Sequence, residues 1–192
     1  MSETNEKRDP AIAIRCYADL DAREREAADA AVDRIFFAAS SVQVFRDAAH
    51  RTAFRWLWLG RYLAEEPQHA FVAFDGTDVA GYLVGSLNDP AGRDAFRELD
   101  YFGIFAPLTA VYPAHLHINI DARYRSRSIG ARLVERFEAH AAGLGSIGVH
   151  IVTGAGMRNV RFYERLGFSK VGEAPRNGGR VVMLAKPLAS GR

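Results

Sequence analysis

Apolar and polar positions change rhythm several times along this chain of 192 residues, and each change marks an element. Ala11–Tyr17 alternates with a period of two, as a short strand does. Ala27, Ala31, Ile35 and Ala38 then recur at helical spacing, behind Asp19 or Asp21 as the cap. A second helix is predicted from about Asp47 to Glu65, dense in the aromatics Phe54, Trp56, Trp58 and Tyr62. Strand rhythm returns over Ala70–Phe74 and Val79–Leu87. The turn Asp75-Gly76-Thr77 joins them as a hairpin, because Asp-Gly tolerates positive φ. Asn88–Pro113 is predicted to be a long irregular connection, helical only near Asp94–Leu99. Beyond it the pattern sharpens: strand His115–Asp121, helix Ile129–Ala142 ended by Gly143, strand Ile147–Thr153, helix Arg158–Leu166 stopped by Gly167. Phe168–Glu173, a turn through Arg176-Asn177-Gly178-Gly179, and Arg180–Lys186 close the chain as a hairpin. Antiparallel strands first, strand–helix–strand–helix next and a hairpin last predict an α+β fold. Its sheet is mixed, mostly antiparallel, with about seven strands.

Composition narrows the picture without redirecting it. No repeat or linker divides residues 10–188, which read as one domain behind a polar, flexible tail at 1–9. The 25 Lys and Arg residues are offset by 23 Asp and Glu, and a formal net charge of +2 argues against a nucleic-acid partner. Cys16 stands alone, so neither an intrachain disulfide nor a metal site is expected. The opening MSETNEKRDP has no signal-peptide core behind it, and no apolar run reaches the roughly 20 residues that cross a bilayer. A cytoplasmic protein that does not enter membranes is the expectation.

The segment from Asp121 to Leu133 carries the most chemistry. A strand ends, a loop of small and basic residues follows, and an amphipathic helix begins at once, its apolar stripe Ile129, Leu133, Phe137 and Ala141. The first N–H groups of such a helix lack intrahelical partners and, with the helix dipole, attract anions. Ser126, Ser128 and Gly130 would let a diphosphate approach the backbone, and Arg125 and Arg127 would add charge. A solvated basic loop capped by Ser128 is the alternative. The preceding strand alternates too: Leu116, Ile118 and Ile120 on one face, His115, His117, Asn119 and Asp121 on the other. A polar line on a central strand predicts a wet cleft, unless those groups satisfy one another.

Arg125-x-x-Ser128-x-Gly130-Ala131 resembles the pyrophosphate loop of the GNAT superfamily of N-acetyltransferases, with serine at Ser128 where the family has glycine. Phe162-Tyr-Glu-Arg-Leu-Gly-Phe168 resembles a second signature of that family at the expected distance. The lead-in Tyr112-Pro-Ala-His-Leu-His-Ile118 is also similar to the acetyltransferase-like domains related to those of O-GlcNAc hydrolases. The resemblance implies a sheet whose central strands splay apart, acetyl-CoA as cosubstrate, and no metal. Ile118, Asn119 and Ile120 would contact the coenzyme arm, and Arg125 to Ala131, including Ile129, its diphosphate. The acceptor is then an amine of a small molecule or peptide, and a homodimer is compatible with the family.

Chemistry assigns provisional roles. Tyr163 is the expected acid for the leaving thiolate, and His117 the expected base for the amine, with His115 or Asp121 as alternatives. The family often has asparagine seven residues before this tyrosine; Gly156 stands there, and Asn159 is the candidate replacement. The resemblance implies an acceptor pocket built by the early helices and the segment before the central strand, so Trp56 and Tyr112, with His115 and Asp121, are the expected acceptor contacts. The rival reading is a non-catalytic acyl-CoA-binding module, suggested by the missing glutamate base and asparagine.

Overall fold

The computed structural model describes residues 12–189; the tail predicted at 1–9 lies outside them. Seven strands make one sheet: β1 Ala13–Cys16, β2 Phe71–Asp75, β3 Asp78–Ser86, β4 Ala114–Ile120, β5 Gly148–Gly154, β6 Ser169–Arg176 and β7 Gly179–Pro187. Their order is β1-β2-β3-β4-β5-β7-β6, and the one parallel pairing is β4 with β5. The mixed, mostly antiparallel sheet expected from the sequence is therefore present.

Helices cover both faces. On one lie α1 Ala22–Ala39, α2 Ala48–Arg55 and α3 Arg61–Glu65; on the other, α6 Ile129–Gly143 and α7 Arg158–Arg165. Asp21 starts α1 through a capping box with Glu24, settling the choice between Asp19 and Asp21. Its inner face is Ala28, Val32, Ile35 and Phe36, so the predicted stripe is rotated by about one residue, since alanines give no strong apolar bias. None of the helices among the described residues is long and apolar enough to cross a membrane.

Two departures from the predicted elements bear on the site. The helix expected from Asp47 to Glu65 keeps its course but contains a π turn at Trp56–Gly60, closed by Arg61 N–H donating to the Trp56 carbonyl. The connection 88–113 is more ordered than its pattern suggested, with α4 Asp100–Ile104 and α5 Ala106–Val111. It buries Phe96, Leu99, Tyr101, Phe102 and Phe105, so its aromatics act as core.

Strand β4 is tied to β3 from Gly81↔Ile120 to Ser86↔His115, and β5 to β7 along its whole length. The first tie depends on bare backbone at Gly85, where a Cβ would lie 2.5 Å from the Phe137 ring and 2.6 Å from the His115 carbonyl oxygen. Gly85→Ala is expected to cost about 1–3 kcal/mol through overpacking. Gly103→Ala, whose methyl meets nothing within 4 Å, should stay within about 1 kcal/mol of the parent. Urea unfolding of the pair checks the difference.

Candidate active site

β4 and β5 pair only at Ala114↔Val149 and His115↔His150. Past that point each strand follows its other neighbour, and the two diverge up to Ile120 and Gly154. Backbone groups that a closed ladder would have consumed become available along one side of each strand. A groove of about 370 Å³ lies there. His117, Ile118 and Asn119 of β4, Ile151 and Val152 of β5, and Asn159 and Tyr163 of α7 meet in it. Its remaining wall comes from Phe36, the 39–42 segment, Phe54 and Trp58.

The basic loop sits beside the groove. Gly130 comes so close to α7 that a Cβ would lie 3.2 Å from the Phe162 ring and 3.7 Å from Ile120. The glycine thus serves packing, beside the phosphate access expected of it. Ser126 and Ser128 both adopt left-handed backbone, with φ of 64° and 58°. Such residues curve successive N–H groups toward one point, the arrangement of anion-binding nests. Ser128 precedes α6 but makes no capping hydrogen bond, which removes the capped-loop alternative. The first-turn amides of α6 thus have no side-chain cap at Ser128. Arg125, Ser126, Arg127 and Ser128 are all exposed, so no burial blocks the turn, and Arg127 lies 5.3 Å over the Tyr124 ring. Ile129 is the first buried residue of the helix, and Ala131 is half-buried.

The polar line of β4 divides along its length. His115 is buried, with Nε2 3.1 Å from the Tyr62 hydroxyl and its ring between Phe96 and Phe102 at 4.9 and 5.0 Å. It does not line the groove, so it is neither an acceptor contact nor an available base. Asp121 is also lost to the acceptor. Arg34 at 2.7 Å and Arg123 at 3.0 Å hold its carboxylate, which also accepts the Arg123 amide as the cap of a short turn. Only His117 and Asn119 face the groove, so the wet cleft expected along the whole strand is confined to its middle. Asn119 donates to the Tyr82 hydroxyl at 2.8 Å.

Burial pushes the His117 imidazole down to about 4, helped by the neighbouring His150 and Arg61. Its Nε2 has no hydrogen-bond partner among the described residues. The ring is neutral at pH 7 and can accept a hydrogen bond. It is a weak base, about six units below an ordinary alkylammonium, which weakens the expected direct proton abstraction. Burial raises the Tyr163 phenol above its usual range, so the hydroxyl stays protonated and can donate. The remaining expectations divide. Thr153 donates to Asn159 Oδ1 at 3.0 Å, holding that side chain at the groove wall. Gly156 has φ of 75°, a conformation that asparagine tolerates better than most residues.

Trp56 and Tyr112 do not belong to the groove. Trp56 is 45% exposed, and Tyr112 packs on Gly148 while its carbonyl accepts from His150 Nδ1. Trp58 takes the place expected of Trp56, its ring 5.4 Å from His117 and stacked on Tyr101 at 6.3 Å. The signal was present in the sequence. Phe54, Trp58 and Tyr62 recur every four residues and share the inner face, which puts Trp56 opposite. Among the described residues no group of three His, Cys, Asp or Glu side chains could hold a metal.

A family model described as the acetyltransferase (GNAT) family matches residues 30–168. Among solved structures, SsHAT superposes with a TM-score of 0.69 at 25% identity, covering 94% of this chain and 100% of that one. A polyamine N-acetyltransferase of Drosophila melanogaster, which catalyses the formation of N-acetylagmatine, gives a TM-score of 0.65 at 18% identity, over 93% and 100%. A chain of the NatC complex bound to Gag peptide and CoA gives 0.62 at 18% identity, over 93% and 99%. At that identity the last two speak for the fold alone.

The Asp121 anchor has a measurable consequence. Its two arginines hold the carboxyl well below the usual carboxylate range. A depressed folded-state pKa stabilises fully above the unfolded value near 3.9, and the gain is lost as pH falls below it. Asp121→Asn should therefore cost roughly 1.5–3 kcal/mol near pH 7, with the difference from the parent shrinking below about pH 4. Denaturant unfolding at several pH values checks this.

Proposed function

The chain belongs to the acetyltransferase (GNAT) family, and from that premise we propose that it transfers acetyl from acetyl-CoA to a primary amine of a small molecule or peptide, in the cytoplasm, with residues 10–188 as the catalytic unit. One observation carries the reading: an uncapped, exposed helix start adjoins a groove opened by diverging strands, and Tyr163 stands inside that groove. The amides from Ser126 to Ala131 would take the diphosphate, with Arg125 and Arg127 adding charge. The free edge of β4 from Ile118 to Ile120 would pair with the amide groups of the pantetheine arm.

Bound acetyl-CoA supplies a thioester carbonyl to the groove. The residues of the chain then act on the amine, the carbonyl oxygen and the sulfur. His117, neutral and half-buried, accepts a hydrogen bond from the amine and orients its lone pair. Because that imidazole holds a proton poorly, the amine must be in its free-base form when it attacks, and water at the groove mouth takes the proton. A β4 amide near Asn119 polarises the carbonyl. Tyr163 donates its hydroxyl hydrogen bond to the sulfur as the C–S bond breaks. A phenol whose acidity burial has reduced suits donation better than full proton transfer.

Nucleic acid is disfavoured by more than net charge, since Arg123 is bound to Asp121 and Arg132 donates to the Ile12 carbonyl. Tyr163→Phe should lower kcat about a hundredfold while acetyl-CoA affinity stays within about threefold. Thiol-release kinetics and calorimetry read the two quantities. Acetyl-CoA binding without thiol release across a broad amine panel would select the non-catalytic module instead. Ser128→Gly removes left-handed strain and should stabilise the protein by roughly 0.5–1 kcal/mol. It should leave acetyl-CoA affinity unchanged, because amides and not the hydroxyl are the ligands; a large loss would make the hydroxyl a ligand.

A further inference from the structure

The groove offers a second ammonium no carboxylate partner. Among the described residues none that lines it is Asp, Glu, Lys or Arg. Asp33, three residues before Phe36 on α1, is held by Arg55 through both carboxylate oxygens at 2.7 and 2.8 Å. A positive charge lies behind the wall. Arg61 is buried at 4% exposure with Nε and Nη1 unpartnered among the described residues, and its nearest carboxylate, Glu98, is an exposed side chain at 3.8 Å. That guanidinium already disfavours a proton on His117, and it disfavours any other cation at the same depth. The wall itself is aromatic: Phe36, Phe54 and Trp58, with Trp58 fixed between Tyr101 and His117.

From these features we infer that the acceptor is a monoamine carrying an aromatic or similarly apolar group, and not a polyamine or a guanidinium-bearing amine. This inference rests on the transferase reading and assigns its acceptor class. The ring lies against Trp58 and Phe54, where burial of apolar area favours it. The amine, the one polar group, points to His117. A positive field and an apolar wall also favour the free-base amine, the form that attacks the thioester.

Thiol release from acetyl-CoA with 2-phenylethylamine, butylamine and 1,4-diaminobutane tests the inference. For the wild type, kcat/KM is expected to be at least about tenfold higher for 2-phenylethylamine than for butylamine, and lower for the diamine than for butylamine. Trp58→Ala should erase most of the preference for the ring. Val42→Asp, which places a carboxylate in the wall, should raise the diamine relative to 2-phenylethylamine about fivefold or more. Acetyl-CoA affinity, measured in each variant, reports that the fold and the coenzyme site persist. Should the wild type use 1,4-diaminobutane or butylamine as well as 2-phenylethylamine, this inference fails and the transferase reading stands. Should it bind acetyl-CoA and release thiol with none of the three, the inference fails, and only silence across the broad amine panel as well would take the transferase reading with it.

Discussion

Everything in this molecule that resembles a catalytic site follows from the failure of β4 and β5 to stay paired. They begin as parallel neighbours at Ala114 and His115, then each obeys its other partner. β4 is drawn close to β3 because glycines at 81 and 85 leave room for its backbone, and β5 is zipped to β7 throughout. Past His115 no backbone pairing among the described residues links the two halves of the sheet. The seam opens, and the groove and its free backbone groups are the result.

That opening sorts the polar residues by function. At the closed end His115 and His150 are buried among Phe96, Phe102 and Tyr62, where they pack and hydrogen-bond outside the groove lining. Two residues further along β4, His117 reaches the groove, but burial has already removed most of its basicity. On the proposed reading, such a site suits an amine that has shed its proton. The loop ahead of α6 has a comparable character: left-handed serines and a helix end without a side-chain cap present backbone amides beside exposed basic side chains.

How much of this could be read from the chain depends on the range of the interaction. Local signals were legible: the hairpin turn at Gly76, the strand–loop–helix around Ser128, the helix stop at Gly167 with φ of 86°. Period-two alternation correctly separated the faces of β4, yet it could not say which polar residue would meet an aromatic insert from residues 88–113. His115 was misplaced for that reason, through Phe102, and Asp121 because Arg34 of α1, distant in sequence, joins Arg123 on its carboxylate. Trp56 was preferred over Trp58 although the four-residue spacing of Phe54, Trp58 and Tyr62 already pointed inward. Tyr112 was placed near the acceptor because the family resemblance puts that pocket at the connection preceding β4, which was expected to be irregular. It folds instead as two short helices that close the core.

The central claim is that coenzyme fills the seam between β4 and β5 and the amides ahead of α6. Backbone amide hydrogen exchange, measured with and without saturating acetyl-CoA, reads both places at once. The account predicts new protection concentrated at residues 116–120 and 126–131, with little change along the β6–β7 hairpin. Protection absent from both segments, or confined to a different surface, would contradict it.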